Sequence, residues 1–237
     1  MQLQTVSQQP ASCLGLAGQN PMETACVEQA DRAGINTYFF YNLNYTALLS
    51  GLKPLVAQKR EQIILATGSE SRDLTHLEQY LDQVCQTLNT SWLDLLMLEY
   101  VAPRDDRAQV QAALDQLYTW KAAGKIRYVG VTTHNRAIAC ELLQEKACDV
   151  LMHRYNMAHR KAEQDVFPAA QAVQIPMIAF TATRWGTLLN GHPDWAHPAP
   201  TAADCYRMAI APNPVQLVLT APKAQAELAA NLSVLQD

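Results

Sequence analysis

The sequence predicts an α/β fold closed into a (β/α)8 TIM barrel, and three observations carry that expectation. Eight short apolar runs alternate with eight longer helical patterns from one end of the chain to the other. The runs are continuously apolar, as strands are when helices cover a parallel sheet. Eight is also the number of such units that closes a barrel. A doubly wound open sheet is the alternative, but it needs a Gly-rich phosphate turn after the first strand, and GLAGQN matches that poorly. With 237 residues and 49% hydrophobic content the chain can bury a large core, so residues 1–237 are expected to form one domain.

The first unit pairs CLGLAG (13–18) with a helix over 22–33, stopped by Gly34, a residue suited to the left-handed end of a helix. Residues 1–12 before it are polar and irregular. INTYFFY (35–41), rich in aromatic residues, precedes a helix over 45–57, and QIILAT (62–67) precedes one over 73–88. DLLMLEY (94–100) leads to a helix over 106–123, which Gly124 ends with basic residues nearby. IRYVGVT (126–132) leads to 135–146, DVLMHR (149–154) to 161–173, PMIAFTA (176–182) to 201–211, and VQLVLT (215–220) to 222–235. The one long irregular stretch, GTLLNGHPDWAHPAP (186–200), follows the seventh strand and is a candidate lid or binding loop.

Composition narrows the function classes. A net charge of −4 and the lack of a Lys/Arg block argue against a nucleic-acid partner. The six cysteines are scattered, without Cys-x-x-Cys pairs or metal-ligand spacing, as expected of reduced thiols in a cytoplasmic protein. The polar start and the absence of about 18 consecutive apolar residues predict neither a signal peptide nor a membrane span. No feature of the sequence identifies a protein partner.

In such barrels the chemistry sits at the C-terminal ends of the strands. There the sequence places Tyr41, Asn42 and Tyr45, then Gly68, Ser69 and Glu70, then Glu99. Thr132, Thr133 and His134 follow, then Met152, His153 and Arg154, then Thr181, Thr183, Arg184 and Trp185, and finally Lys223. Alternation puts Glu99 on the face of Leu95 and Met97, at the rim of the barrel interior, where a carboxylate must be hydrated, paired or protonated. Arg154 shares the face of Val150 and Met152 and should point into the mouth. With His134, His153 and Arg184 it can bind an anionic small molecule, a carboxylate or phosphate. A plainer reading pairs Arg154 with Glu99 across the barrel. His159, Arg160 and Lys161 then read as surface residues, Trp185 and Trp195 as loop anchors or substrate platforms, Tyr41 and Asn42 as turn residues, and Asn44 as a helix cap.

In order, "AGIN" (33–36), "REQIILAT" (60–67), "LDLLMLE" (93–99), "WKAAGKIRYVGVTTHN" (120–135), "YNMAHR" (155–160), "IAFTATRWGTLL" (178–189) and "LAANL" (228–232) resemble the successive landmarks of the aldo-keto reductases. The resemblance implies a barrel that binds NADP(H) across its strand ends and reduces a carbonyl by hydride transfer. It also implies a relay of Asp, Tyr, Lys and His. Here those positions hold Phe39, Asn44 (with Tyr45 one step away), Gly68 and Glu99. The steroid double-bond reductases of that family also place a Glu in the His slot, but they keep the Tyr and Lys. Glu99, if kept protonated by apolar surroundings, or Tyr45 then stands as the acid, with His134 and Arg154 as further catalytic candidates.

For the cofactor, the resemblance implies that Phe180 stacks on the nicotinamide beside Thr181, and that Thr132 and Thr133 replace a Ser-Asn pair. Met152 stands where a Gln binds the carboxamide. Lys223, Glu227 and Asn231 align with the Arg, Gln and Asn that hold the adenosine 2'-phosphate and adenine. Lys223 can carry the phosphate charge, whereas Glu227 opposes it, so the expected NADP(H) site is weakened. The chain ends just after the eighth helix, so the long C-terminal loop of many relatives is expected to be missing, and no cysteine cluster points to the iron-sulfur variant. Three functions stay open: an NADP(H) oxidoreductase with a non-standard acid, a redox-inactive barrel acting on an anionic molecule, and a non-catalytic partner protein.

Overall fold

The computed structural model describes residues 2–236. The strands are β1 (Leu14–Ala17), β2 (Thr37–Phe40), β3 (Ile64–Ser69), β4 (Leu93–Leu98), β5 (Ile126–Thr133), β6 (Val150–Arg154), β7 (Met177–Phe180) and β8 (Val215–Thr220). They pair in parallel in that order, and β8 closes on β1 through Leu14↔Val218 and Leu16↔Thr220. The helices between and after them are α1 (Ala25–Arg32), α2 (Thr46–Lys59), α3 (Leu74–Leu88), α4 (Arg107–Ala122), α5 (Arg136–Gln144), α6 (Val166–Val173), α7 (Ala202–Ile210) and α8 (Gln225–Asn231). The architecture is the (β/α)8 barrel that the alternating pattern predicts.

Differences are confined to element ends. The helix expected over 161–173 is a 3-10 turn at Lys161–Gln164 followed by α6. Pro168 is the reason: the restart at Val166 places it in a first turn, where its missing N–H costs nothing, instead of in a helix interior. The last helix likewise ends at Asn231, and a 3-10 segment carries the chain to Gln236.

Alternation divides each strand between two cores. Outward residues such as Leu96 and Leu98 pack beneath the helices, and inward ones such as Leu95, Met97, Val150, Met152, Ile178 and Leu217 fill the barrel. Gly130 makes room for that filling, since a Cβ there would lie 2.3 Å from Met97 Cγ. The floor of the barrel is closed by residues 2–12. Leu3, 1% exposed, joins the interior cluster, its N–H donating to Gln216 Oε1 (2.8 Å) and its carbonyl accepting from Gln216 Nε2 (2.7 Å). Near the same end, buried Asp94 accepts from Arg60 and Arg127 at 2.7 Å each and from the Leu65 N–H at 3.0 Å. Among the described residues no helix is long and apolar enough to cross a membrane.

Candidate active site

Glu99 follows β4 directly and is 2% exposed. Its backbone is fixed from both sides, the N–H donating to the Ser69 carbonyl (2.9 Å) and the carbonyl accepting from Arg72 Nη2 (2.9 Å). The side chain turns over Gly68. A Cβ at position 68 would lie 2.6 Å from Glu99 Cγ, 2.7 Å from Oε1 and 2.7 Å from the Met97 carbonyl oxygen. Oε1 has no hydrogen-bond partner. Burial foremost, with the nearby Glu70 charge, pushes this carboxyl up to about 8 against a smaller opposing pull from Arg72. Glu99 is therefore a neutral acid at neutral pH. Two expectations are corrected here. The carboxyl is buried beneath the mouth instead of facing an open rim, and no ion pair joins it to Arg154 among the described residues. The cation beside it is Arg72, whose guanidinium is already held by Asp105 at 2.6 Å.

Above Glu99 a line of rings crosses the mouth from β2 to β7. Phe39 meets Tyr41 edge-on at 4.6 Å, Tyr41 stacks on Tyr100 at 6.1 Å, Tyr100 stacks on His134 at 5.4 Å, and His134 meets Phe180 at 5.2 Å. Tyr41, read from sequence as a turn residue, is thus part of the mouth. Burial raises its phenol far above the ordinary range, helped by its hydroxyl bond to Tyr100 and by the Glu99 charge. The signal for it was present, because Tyr41 is two residues beyond inward-facing Phe39. Tyr45 takes a different place. It stands at the start of α2 with its ring against Gly18, where a Cβ would lie 2.8 Å from Tyr45 Cγ.

A groove of about 420 Å3 runs over the ends of β7, β8, β1 and β2, lined among others by Phe180, Thr181, Trp185, Tyr206, Lys223 and Glu227. Tyr41 forms part of its wall. Glu227 turns its Oε2 to the Lys223 backbone N–H (2.8 Å). Asn231 lies behind the wall, 2% exposed, its amide donating to Thr220 Oγ1 at 3.1 Å. Thr132 and Thr133 are also buried. The Thr132 hydroxyl accepts from the Tyr100 N–H (2.8 Å), and that of Thr133 donates to the Val101 carbonyl (2.6 Å), so both shape the loop after β4. Of the 186–200 loop, Gly186 and Leu189 reach the groove, while Trp195 and His197 line a separate apolar hollow with Met157 and Leu188.

Alternation predicts Arg154 in the mouth, and the structure does not place it in the lining of the groove. Arg154 lines a second cavity of about 250 Å3 with His134, Arg136, His153, His159 and Lys161. It is the last residue of β6 and the register partner of Phe180, which lines the groove instead. Arg184 stands near His159 but does not line this cavity. No group of three or more His, Cys, Asp or Glu is placed to hold a metal among the described residues.

The family model described as the Aldo/keto reductase family matches residues 27–234, most of the chain. The chain belongs to the aldo/keto reductase family. Its fold is similar to the holo form of an aldo-keto reductase from Bacillus halodurans, at 17% identity and TM-score 0.80, covering 100% of this chain and 91% of that one. It is also similar to an aldo/keto reductase from Klebsiella pneumoniae in complex with NADP and acetate, at 15% identity and TM-score 0.76 (100% and 90% covered). A Klebsiella pneumoniae aldo-keto reductase in complex with NADPH matches at 15% identity and TM-score 0.79 (100% and 89%). No curated protein matches the sequence. Within this aldo/keto reductase, Glu99 and Gly68 form one interlocked pair, in which the missing side chain of one leaves the space that the other fills.

Proposed function

We propose that this aldo/keto reductase is an NADP(H)-dependent oxidoreductase that reduces a small carbonyl compound with Glu99, in its neutral form, as the source of the proton. The observation that carries the reading is the buried, partnerless Glu99 carboxyl under a mouth whose groove is lined by Phe180 and Lys223. The groove suits the cofactor: Phe180 offers a ring face for the nicotinamide, Thr181 lies beside it, and Lys223 supplies a cation for the 2'-phosphate. Glu227 in the same wall weakens that end. The NADP and NADPH complexes of the Klebsiella pneumoniae proteins support the assignment.

Bound NADPH supplies the hydride. The chain's own residues supply the proton. Tyr41 stands in the groove wall, but burial makes its phenol too hard to ionise to give up a proton, so the neutral Glu99 carboxyl is the proton's source. At 2% exposure Glu99 keeps that proton out of reach of bulk water. All six cysteines are free, which supports a reducing, cytoplasmic setting.

Titration with NADPH tests the binding half, with Trp185, 72% exposed on the groove wall, as the fluorescent reporter. Saturable quenching is expected, NADPH binding more tightly than NADH, and the preference should shrink in Lys223→Ala. Glu99→Gln should keep NADPH affinity and lose carbonyl reduction by about 100-fold or more. Absence of binding by either nucleotide at millimolar concentration removes the reading.

A further inference from the structure

The redox reading makes no use of the second cavity, which opens between the ends of β5 and β6. Three cations line it. Arg136 is paired with Asp165, but the side chains of Arg154 and Lys161 have neither ion pair nor hydrogen bond among the described residues. Glu163, the other carboxylate on this side, is taken by Arg160 and by the Tyr155 hydroxyl. The cavity therefore holds a net positive charge with no internal counter-charge, an arrangement that favours an incoming anion.

A second observation says what else that anion must carry. His153 is 3% exposed, lines the cavity, and has no partner for Nδ1. With Nδ1 unmet, the ring's hydrogen bond to the Thr133 backbone is assigned to Nε2. Burial, with His134 and Arg154 adding to it, holds the imidazole down at about 4, so it is neutral at physiological pH. A neutral imidazole that donates Nε2–H to a carbonyl presents Nδ1 as a lone-pair acceptor. Such an atom needs a donor, and a fully deprotonated oxyanion has none to offer.

We propose that this cavity binds a small oxyanion bearing its own hydroxyl, of the monohydrogen phosphate or 2-hydroxycarboxylate class, with its charge on Arg154 and Lys161 and its O–H donated to His153 Nδ1. The volume of about 250 Å3 accommodates either. The site has its own lining beside the nucleotide groove, which it meets at Phe180 through the His134 ring and the Arg154 backbone. It stands or falls apart from the oxidoreductase reading.

Calorimetry on the full chain without nucleotide, at about pH 7.5, compares inorganic phosphate with sulfate and glycolate with acetate. The members of each pair differ mainly in the hydroxyl. Phosphate should bind about tenfold or more tightly than sulfate, and glycolate likewise over acetate, because an unmet buried acceptor separates the members of each pair. The stronger of phosphate and glycolate identifies the class. Arg154→Gln should weaken both by about tenfold or more, and His153→Phe should level the two members of each pair. Should His153→Phe fail to fold, the Nδ1 resonance of His153 in the unmodified protein must move on adding phosphate and stay still with sulfate. Equal binding of phosphate and sulfate, binding indifferent to Arg154→Gln, or no binding of phosphate and glycolate at tens of millimolar overturns the proposal.

Discussion

Glu99 keeps its proton in the folded chain because water cannot reach it, and it releases that proton near pH 4 once the chain unfolds. Between about pH 4 and pH 8 the native state therefore binds one more proton than the unfolded state. The stability this group contributes is complete below that window and is lost as pH rises through 8. The Glu99→Gln variant carries no such proton. Relative to it, the unmodified protein should lose on the order of 2–5 kcal/mol between pH 5 and pH 9, with the variant the more stable at the alkaline end. Denaturant melts of both proteins at several pH values measure this, and a pH-independent difference would show that Glu99 is ionised in the fold. Strand alternation was enough to place Glu99 at the barrel mouth. Its neutral state was not legible, because it depends on burial and on Asp105, in another loop, holding the one cation beside it, Arg72. The neighbouring Gly68 is equally constrained: Gly68→Ala drives a Cβ into the fixed Met97 carbonyl and the Glu99 side chain, and should cost about 1–3 kcal/mol by thermal melting. Any longer side chain at this position meets the same two obstacles, and the backbone one remains whatever stands at position 99.

At the scale of the elements, eight units and their order were readable because each strand is a continuous apolar run and each helix has a recognisable stop. The rest was hidden by side-chain geometry that crosses between elements. Asp94 looks in sequence like a polar residue opening β4, yet it is fully buried and ties the turn before β3 to β5 through Arg60 and Arg127. Arg60 also lies 3.4 Å over the Trp92 ring. Removing the carboxylate leaves two guanidinium groups facing each other with no counter-charge. Asp94→Ala should destabilise the fold by about 3–5 kcal/mol in chemical denaturation, while NADPH binding at the opposite end of the barrel, measured well below the melting point, stays within about twofold. Arg154 shows the same limit at the functional end. Alternation assigns it to the mouth, but a pattern of period two does not say which hollow at the strand ends its side chain will line.

For the molecule as a whole, the floor of the barrel depends on a segment that the sequence marks only as polar and irregular. Leu3 sits among interior side chains from strands all round the barrel, so Leu3→Ala opens a void that many elements share, and a loss of about 2–4 kcal/mol is expected from denaturant titration. An unchanged midpoint would mean that the floor is held by Gln216 alone. Those Gln216 bonds have a further consequence for how the chain is made. They join positions 213 residues apart, one before the first strand and one on the last. During synthesis the plug must wait, unseated, until β8 has left the ribosome. Until then Leu3 and the inward faces of the early strands stay open to other chains, so the interval before β8 emerges is when aggregation competes most with folding.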